Sequence, residues 1–320
     1  MNIESFHTTK RRMRVKLIFN PKSGTATASP VQLMDIIHEM QLWKLMPEVF
    51  LLEPDSDIPA MVKDTLAQGV HMFVVCGGDG SIAAVAKVIA KLPATLGVIP
   101  TGTQNNIARA LGIPKDIAEA IAILRTGHRV KTDIGMVTSG ETKTPFIEIC
   151  SVGLMSSLFP SGDDIQHGHL EKIGDFLSTL VTSAPSQIRL ALEGKKEICA
   201  TGHMVLISNM PYVGRHYQVG QPEAFKDGLL DVLLFGELSK LDLLGYAFKG
   251  TNISEMEDDR LRRFQVRKVE IDVSPSMPVM VDGVLMEEGP IQIEVQHRAL
   301  AIMMPLAPKV KLEPQENPAE

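Results

Sequence analysis

Five consecutive residues constrain this chain more than any others: Gly77-Gly78-Asp79-Gly80-Ser81. They lie between the apolar run 71–76 and the helically spaced residues Ile82, Val85, Val88, Ile89 and Leu92. An apolar run that ends in glycines and passes into a 3.6-residue period reads as a buried strand, a tight turn and an amphipathic helix. Glycines there permit positive φ and a close approach of backbone to a ligand. Successive free amides at a helix N-terminus form an anion site, suited to a diphosphate or triphosphate. Asp79 would lie within reach of that anion, where a carboxylate either holds Mg²⁺ or takes a proton from a nucleophile. The plainer alternative is a tight strand–helix turn with Ser81 as N-cap and Asp79 exposed. The segment is not a Walker A loop, since no Gly-Lys-Ser/Thr follows. It is not the dinucleotide fingerprint either, since the third-glycine position counted from Gly78 is Ala83.

The surrounding pattern extends this unit. Apolar runs at 15–19, 49–52, 71–76 and 96–99 alternate with helical stripes at Leu33, Ile36, Ile37 and Met40, at Ile58, Met61, Val62 and Leu66, and at 82–92. Repeated strand–helix–strand order predicts a parallel sheet with helices on its faces. Pro100 and Pro114 punctuate it, and Gly112 is placed to end a helix. The second half reads differently. Runs at 146–152, 187–192, 198–208, 229–235, 264–273, 279–284 and 291–295 are rich in β-branched or large apolar residues. Turn residues such as Glu193-Gly194-Lys195, Asp227-Gly228 and Asp282-Gly283 lie between or within them. This predicts an antiparallel β domain, with helices near 170–182 and 239–248. The domain boundary is expected near Asp133-Ile134-Gly135, and the tail 308–320, with Pro314 and Pro318 among charges, is expected to be disordered.

Two further loops fall on the same sheet edge as the glycine loop. Asn20-Pro21-Lys22-Ser23-Gly24 follows the first strand, and Ser23 and Gly24 offer donors to phosphate. Thr101-Gly102-Thr103-Gln104-Asn105-Asn106 follows the fourth strand and opens the helix at Ile107. Strand ends on one edge of an open parallel sheet form the usual ligand crevice.

Composition narrows the function classes. The chain has 320 residues and a formal charge of −6, from 32 Lys+Arg against 38 Asp+Glu. Its length suits two domains at roughly 150 residues each. The mild acidity argues against non-specific nucleic-acid binding, which needs a basic face. No apolar run reaches the roughly 18 residues of a spanning helix, and the basic N-terminus has no apolar signal core after it. Cys76, Cys150 and Cys199 are scattered through apolar runs, which predicts reduced core thiols and neither a disulfide frame nor a zinc site.

Taken together and in order, these motifs resemble the bacterial diacylglycerol kinase-like lipid kinases, relatives of sphingosine kinases within the NAD-kinase-like superfamily. The resemblance covers roughly residues 13–305. The 20–24 loop resembles the family's first phosphate-side loop, and 77–81 its Gly-Gly-Asp-Gly-Thr signature with Ser81 for Thr. Residues 99–106, followed by Ala108-Arg109-Ala110-Leu111-Gly112, resemble the second signature. Asp133-Ile134-Gly135 resembles the junction motif. The segment 222–231 is similar to the one that carries a structural Mg²⁺ in some members, with Asp227 and Leu229 as its ligands here. The resemblance implies an α/β nucleotide domain with a parallel sheet (13–134), a C-terminal antiparallel β-sandwich for the lipid (135–297), and a last strand near 298–305 returning to the first domain. It implies ATP and Mg²⁺ as cofactors. The nucleotide-binding set is then Asn20, Ser23, Gly24, Gly77, Gly78, Asp79, Gly80, Ser81, Gly102, Thr103, Asn105 and Asn106.

The chain departs from the family at three points. The second signature ends Asn105-Asn106 in place of Asn-Asp. The late Asp-Gly-Glu motif, whose Glu has been proposed as the base, reads Asp282-Gly283-Val284. Leu52 precedes Glu53 where many members place Thr. Asp79 is then the candidate base, with Glu287 or Glu288 as shifted substitutes. The leading expectation is an ATP-dependent lipid kinase. The alternatives are a non-catalytic nucleotide- or lipid-binding relative, which Asn106 and Val284 motivate, and an NAD kinase, which lacks its Asn-Glu pair here. Expected partners are a nucleotide, a lipid substrate and transient contact with a membrane surface, with no nucleic acid; a homodimer is left open. The expected location is cytoplasmic, peripheral at the membrane. His167-Gly168-His169, with Asp163 and Asp164, reads as a polar loop. The Arg260, Arg262, Arg263, Arg267 and Lys268 cluster reads as a solvated face, since acids adjoin it. Trp43 and the 17 methionines read as core or as the lining of an apolar cleft.

Overall fold

The computed structural model describes residues 11–24, 29–154, 184–193, 197–213, 217–239, 242, 258 and 260–306. The expected helices near 170–182 and 239–248, the 163–169 loop and the tail lie outside the described residues, apart from isolated positions around 239–242.

The first half is a strand–helix alternation: β1 (Met13–Phe19), α1 (Ser29–Leu42), β2 (Leu45–Leu51), α2 (Ile58–Ala67), β3 (Met72–Gly77), α3 (Asp79–Ile89), β4 (Thr95–Pro100), α4 (Asn106–Ala110) and α5 (Ile117–Thr126). The strands are parallel in the order β2-β1-β3-β4. Alternate side chains of each strand serve opposite layers, as the pleat requires. Ile18, Phe73 and Val75 pack with Val62, Ile82 and Val85 on one face. Val15, Leu17, Phe19, Val74 and Cys76 pack with Ile36, Met40 and Leu124 on the other. Asp57 caps α2 by accepting the Ala60 N–H at 2.9 Å, and Asp116 caps α5 by accepting the Glu119 N–H at 2.9 Å. Gly112 leaves α4 at φ +68°, the left-handed conformation that ends helices.

The second half is antiparallel. It comprises β5 (His128–Ser139), β6 (Thr142–Phe146), β7 (Ile149–Gly153), β8 (Ser186–Leu192), β9 (Ile198–Ser208), β10 (Tyr212–Val213) and β11 (Tyr217–Gln218). After a 3₁₀ turn (Ala224–Lys226) come β12 (Leu230–Gly236), β13 (Leu261–Val266), β14 (Lys268–Ser274), β15 (Val279–Val281), β16 (Val284–Met286) and β17 (Ile291–Met304). Its own core joins Val152, Leu190, Ile207, Val232, Val269 and Val279. Hydrogen bonding nevertheless runs continuously between the halves. Among the described strands, β17 pairs both with β14 and, in parallel at Ile302↔Leu96, with β4. It also pairs with β5 along most of its length, with a register shift between Gln296 and Leu300.

Several sequence expectations need correction. Residues 264–273 are two strands broken at Arg267, because β13 pairs with β12 while β14 pairs with β8 and β17. Residues 279–284 fold back as the β15–β16 hairpin about Asp282 and Gly283, both at positive φ. The β5–β6 hairpin and α5 were not expected. Cys199 is exposed, since it sits on an outward position of β9, whereas Cys76 and Cys150 are buried. Gly135, in the junction motif, faces the Phe146 ring; a Cβ there would lie 2.0 Å from it.

Candidate active site

The chain leaves β1, β3 and β4 at one edge of the parallel sheet, and the three loops that follow lock together. Gly78 and Gly102 meet backbone to backbone. A Cβ on Gly102 would lie 2.5 Å from Gly78 Cα, and one on Gly78 would lie 3.2 Å from Gly102 Cα. Gly102 is therefore required for loop packing itself, and a side chain on Gly78 would press its neighbour, before any phosphate is considered. Asn20 Nδ2 donates to Ser81 Oγ at 2.8 Å, and a Cβ on Gly77 would meet that same hydroxyl at 2.9 Å. Thr101 Oγ1 donates to Ser23 Oγ at 3.2 Å. Gly24, at φ +79°, packs so closely on Thr101 that a Cβ would lie 2.4 Å from its carbonyl oxygen. Beneath them, burial pushes the Cys76 thiol up to about 12, which leaves it protonated and inert.

Two helices start on this cradle. Helix α3 begins at Asp79 with Gly78 as its N-cap, so Ser81 lies inside the first turn and is not the cap. A Cβ on Gly80 would meet nothing within 4 Å. Asn105, at φ +54°, precedes α4 and bonds Gly102 in both directions: its Oδ1 accepts the Gly102 N–H at 3.0 Å and its Nδ2 donates to the Gly102 carbonyl at 2.7 Å. Thr103 is exposed at the loop tip. The N–H groups of Asn106 and Ile107 donate to the two Asp79 carboxylate oxygens at 2.9 and 3.0 Å. Asp79 is thus the side-chain cap of α4 as well as the first residue of α3. Burial raises its proton affinity, while the Ile107 and Asn106 amides and Arg109 oppose that rise. Arg109 also lies over the Tyr212 ring, 4.2 Å from its centroid.

The second half contributes two acids. Asp282, at the β15–β16 turn, accepts the N–H groups of Ile147, Glu148 and Ile149 at 2.9, 3.0 and 3.0 Å. It also pairs with Lys87 Nζ of α3 at 3.0 Å. Glu148, half-buried at the bend between β6 and β7, turns its carboxyl toward Asn106, to whose side chain it is hydrogen-bonded. Burial first, then Asp79 and Asp282, hold this carboxyl well above the usual carboxylate range, against the Asn106 bond and Lys87. Val284 is 64% exposed, so it fills no apolar pocket. Glu288 accepts from Ser276.

The structure therefore brings together the three loops that carry the twelve expected nucleotide residues and places Asp227 and Leu229 in another constellation. That one is built on Asp133, which is fully buried. Its carboxylate accepts the Gly228 N–H at 2.7 Å and the Arg298 N–H at 2.6 Å, with His297 Nδ1 at 2.9 Å. Asp227 Oδ1 accepts the Leu229 N–H at 2.8 Å. Burial first, and Asp133 after it, raise the proton affinity of Asp227, against the Leu229 amide and His297. The two expected ligands, Asp227 and Leu229, would supply one carboxylate and one carbonyl. Among the described residues no three His, Cys, Asp or Glu side chains converge on a metal position. The set fits Mg²⁺ only as a largely hydrated ion. Sequence reasoning missed Glu148, Lys87 and the anchoring role of Asp282. The one signal for Glu148 is a lone acid in the apolar run 146–152.

Comparison with known proteins agrees with this geometry. Residues 14–137 match the diacylglycerol kinase catalytic domain, and residues 165–304 match the YegS C-terminal NAD kinase beta sandwich-like domain. The chain is 25% identical over 301 residues to a diacylglycerol kinase of Bacillus subtilis (strain 168), covering 91% of this chain and 96% of that one. It is 26% identical over 256 residues to a diacylglycerol kinase of Mycobacterium tuberculosis, covering 78% and 82%. A crystal structure of a diacylglycerol kinase from Bacillus anthracis str. Sterne superposes with a TM-score of 0.70 at 19% identity, over 92% of this chain and 98% of that one. At that identity the superposition speaks for the fold.

Proposed function

Because the chain belongs to the diacylglycerol kinase-like lipid kinase family, and so to the phosphotransferases with an alcohol-group acceptor, we propose that it transfers the γ-phosphate of ATP to a hydroxyl of a diacylglycerol-like lipid. The observation that carries this reading is the interlocked cradle at the ends of β1, β3 and β4, on which α3 and α4 both begin. The N-terminus of α3 and the free loop amides favour the polyphosphate, while the first α4 amides are taken by Asp79. Gly80 leaves open room beside the first turn of α3 for a phosphate to approach backbone. Phosphoryl transfer depends chiefly on positioning and charge neutralisation. Asp79 fixes the angle between the two helices and sets a carboxylate at the transfer centre. Mg²⁺ bound with ATP would supply neutralisation of phosphate charge, and Asp227 with the Leu229 carbonyl would hold a second, largely hydrated Mg²⁺ in a structural role at the junction. The domain division we favour is 13–134 for the nucleotide, with 298–305 returning to it, and 135–297 for the lipid. Transient membrane contact follows from a substrate that resides in the bilayer; no helix among the described residues is long and apolar enough to cross one. Incubation with γ-labelled ATP, Mg²⁺ and a lipid panel tests the reading. A labelled lipid is expected, and label confined to ATP and inorganic phosphate would overturn it.

A further inference from the structure

Val284 stands where the resemblance places a Glu proposed as the base, and Asn106 stands where it places an Asp. Asp79 is the remaining acid of the signatures, but both of its oxygens receive α4 amides. A proton taken there would weaken the cap that holds α4. The neighbouring acid with no such duty is Glu148. Its backbone is fixed, with its N–H on Asp282 Oδ1 at 3.0 Å and its carbonyl accepting the Asn209 N–H at 2.9 Å. Its carboxyl reaches the Asn106 side chain at the mouth of α4.

We propose that Glu148 is the proton acceptor of the transfer, supplying from the second domain the acid that positions 106 and 284 lack. This rests on the lipid kinase reading. The lipid O–H proton passes to a Glu148 carboxylate oxygen, and the freed oxygen bonds to the γ-phosphorus. The bond to the β,γ-bridging oxygen breaks, and its electron pair leaves on the nucleoside diphosphate. The groups that face Glu148 are Asp79 and Lys87 of α3, Asn106 at the start of α4 and Asp282 of the β15–β16 turn. A general base works best when its proton affinity lies near the working pH, and burial beside Asp79 and Asp282 moves the Glu148 carboxyl in that direction.

The test compares the full-length parent with E148Q and E148D, measuring lipid phosphorylation, ATP hydrolysis and ATP affinity. E148Q is expected to lower kcat for the lipid by about 10²-fold or more, the scale of a positioned general base, with ATP affinity and melting temperature preserved. E148D is expected to recover part of the rate. The E148Q penalty is expected to shrink with a fluorinated, more acidic acceptor hydroxyl, which a merely structural role would not produce. E148Q with more than a tenth of parental kcat, or with its loss confined to ATP affinity, would overturn the assignment alone. A parent that transfers phosphate to water but to no lipid overturns the lipid reading, and the same comparison is then made on hydrolysis. A parent that transfers phosphate to neither overturns both.

Discussion

Lys87 Nζ stands 3.0 Å from Asp282 Oδ2, an ion pair that ties the nucleotide-side helix α3 to the turn of the β15–β16 hairpin. The same carboxylate, its side chain 2% exposed, accepts three consecutive N–H groups from 147–149. One side chain thereby sets the backbone that carries Glu148 and holds it against α3.

Lys87→Met keeps the aliphatic stem and removes the charge. The Asp282 carboxylate keeps its three amides, so the expected loss of unfolding free energy is about 1.5–3 kcal/mol, the range for a hydrogen bond to a charged group. Urea unfolding measures it. An unchanged midpoint would show that the pair contributes nothing to the junction.

Gly102→Ala places a Cβ 2.5 Å from Gly78 Cα. The nearest neighbour is backbone, so the loops must separate. ATP affinity is expected to fall at least tenfold, about 1.4 kcal/mol, while far-ultraviolet circular dichroism stays parental. Gly80→Ala, whose Cβ meets nothing within 4 Å, is expected to leave the melting temperature unchanged. Calorimetric titration with ATP and a thermal melt read the two variants.

Asp133→Ala removes the acceptor of the Gly228 and Arg298 amides. Each donor left without a partner costs about 1–3 kcal/mol, so a loss of at least roughly 2 kcal/mol is expected. Because those amides belong to the 224–229 segment and to the bulge of β17, early proteolysis near residue 228 is expected with it. Limited proteolysis checks this.

Burial raises the Asp231 carboxyl to about 6, with Gln265 and Arg263 opposing it and Asp227 adding to it. A carboxyl with a folded value above its unfolded one binds protons more tightly in the folded state. Its contribution is therefore most favourable below about pH 4 and is lost as pH rises toward 6. Asp231→Asn removes that dependence. Relative to the parent, the variant is expected to gain stability between pH 4 and 6 and to hold the gain above. Denaturant unfolding across that range measures it, and a difference independent of pH would contradict it.

The sequence showed most of what local pattern can show. Strand–helix alternation placed β1, β3, β4, α2 and α3 within a few residues, because each strand is an apolar run and each helix a clean stripe. The three loops were legible because close backbone approach at Gly77 and Gly102 and positive φ at Gly24 and Asn105 demand particular residues; no residue of 77–81 takes positive φ. What was not legible depended on partners distant in the chain. Arg267 breaks a run of strand formers because β13 and β14 have different neighbours. Asp282-Gly283 read as a turn, yet the carboxylate anchors a strand start more than a hundred residues away. Gly78 read as room for phosphate, whereas its first neighbour is Gly102. Glu148 sat unmarked in a strand-like run, since its meaning comes from Asn106 and Asp79 across the cleft.

The central claim is transfer of a phosphoryl group to a lipid hydroxyl at this cleft. It is tested most directly by following the full chain with ATP, Mg²⁺ and diacylglycerol in mixed micelles by phosphorus NMR. At ATP below saturation, the account predicts a lipid phosphomonoester resonance growing in step with ADP in the parent and at least several-fold more slowly in Gly102→Ala. ADP accumulating with inorganic phosphate alone, or a phosphomonoester formed equally by Gly102→Ala, would contradict it.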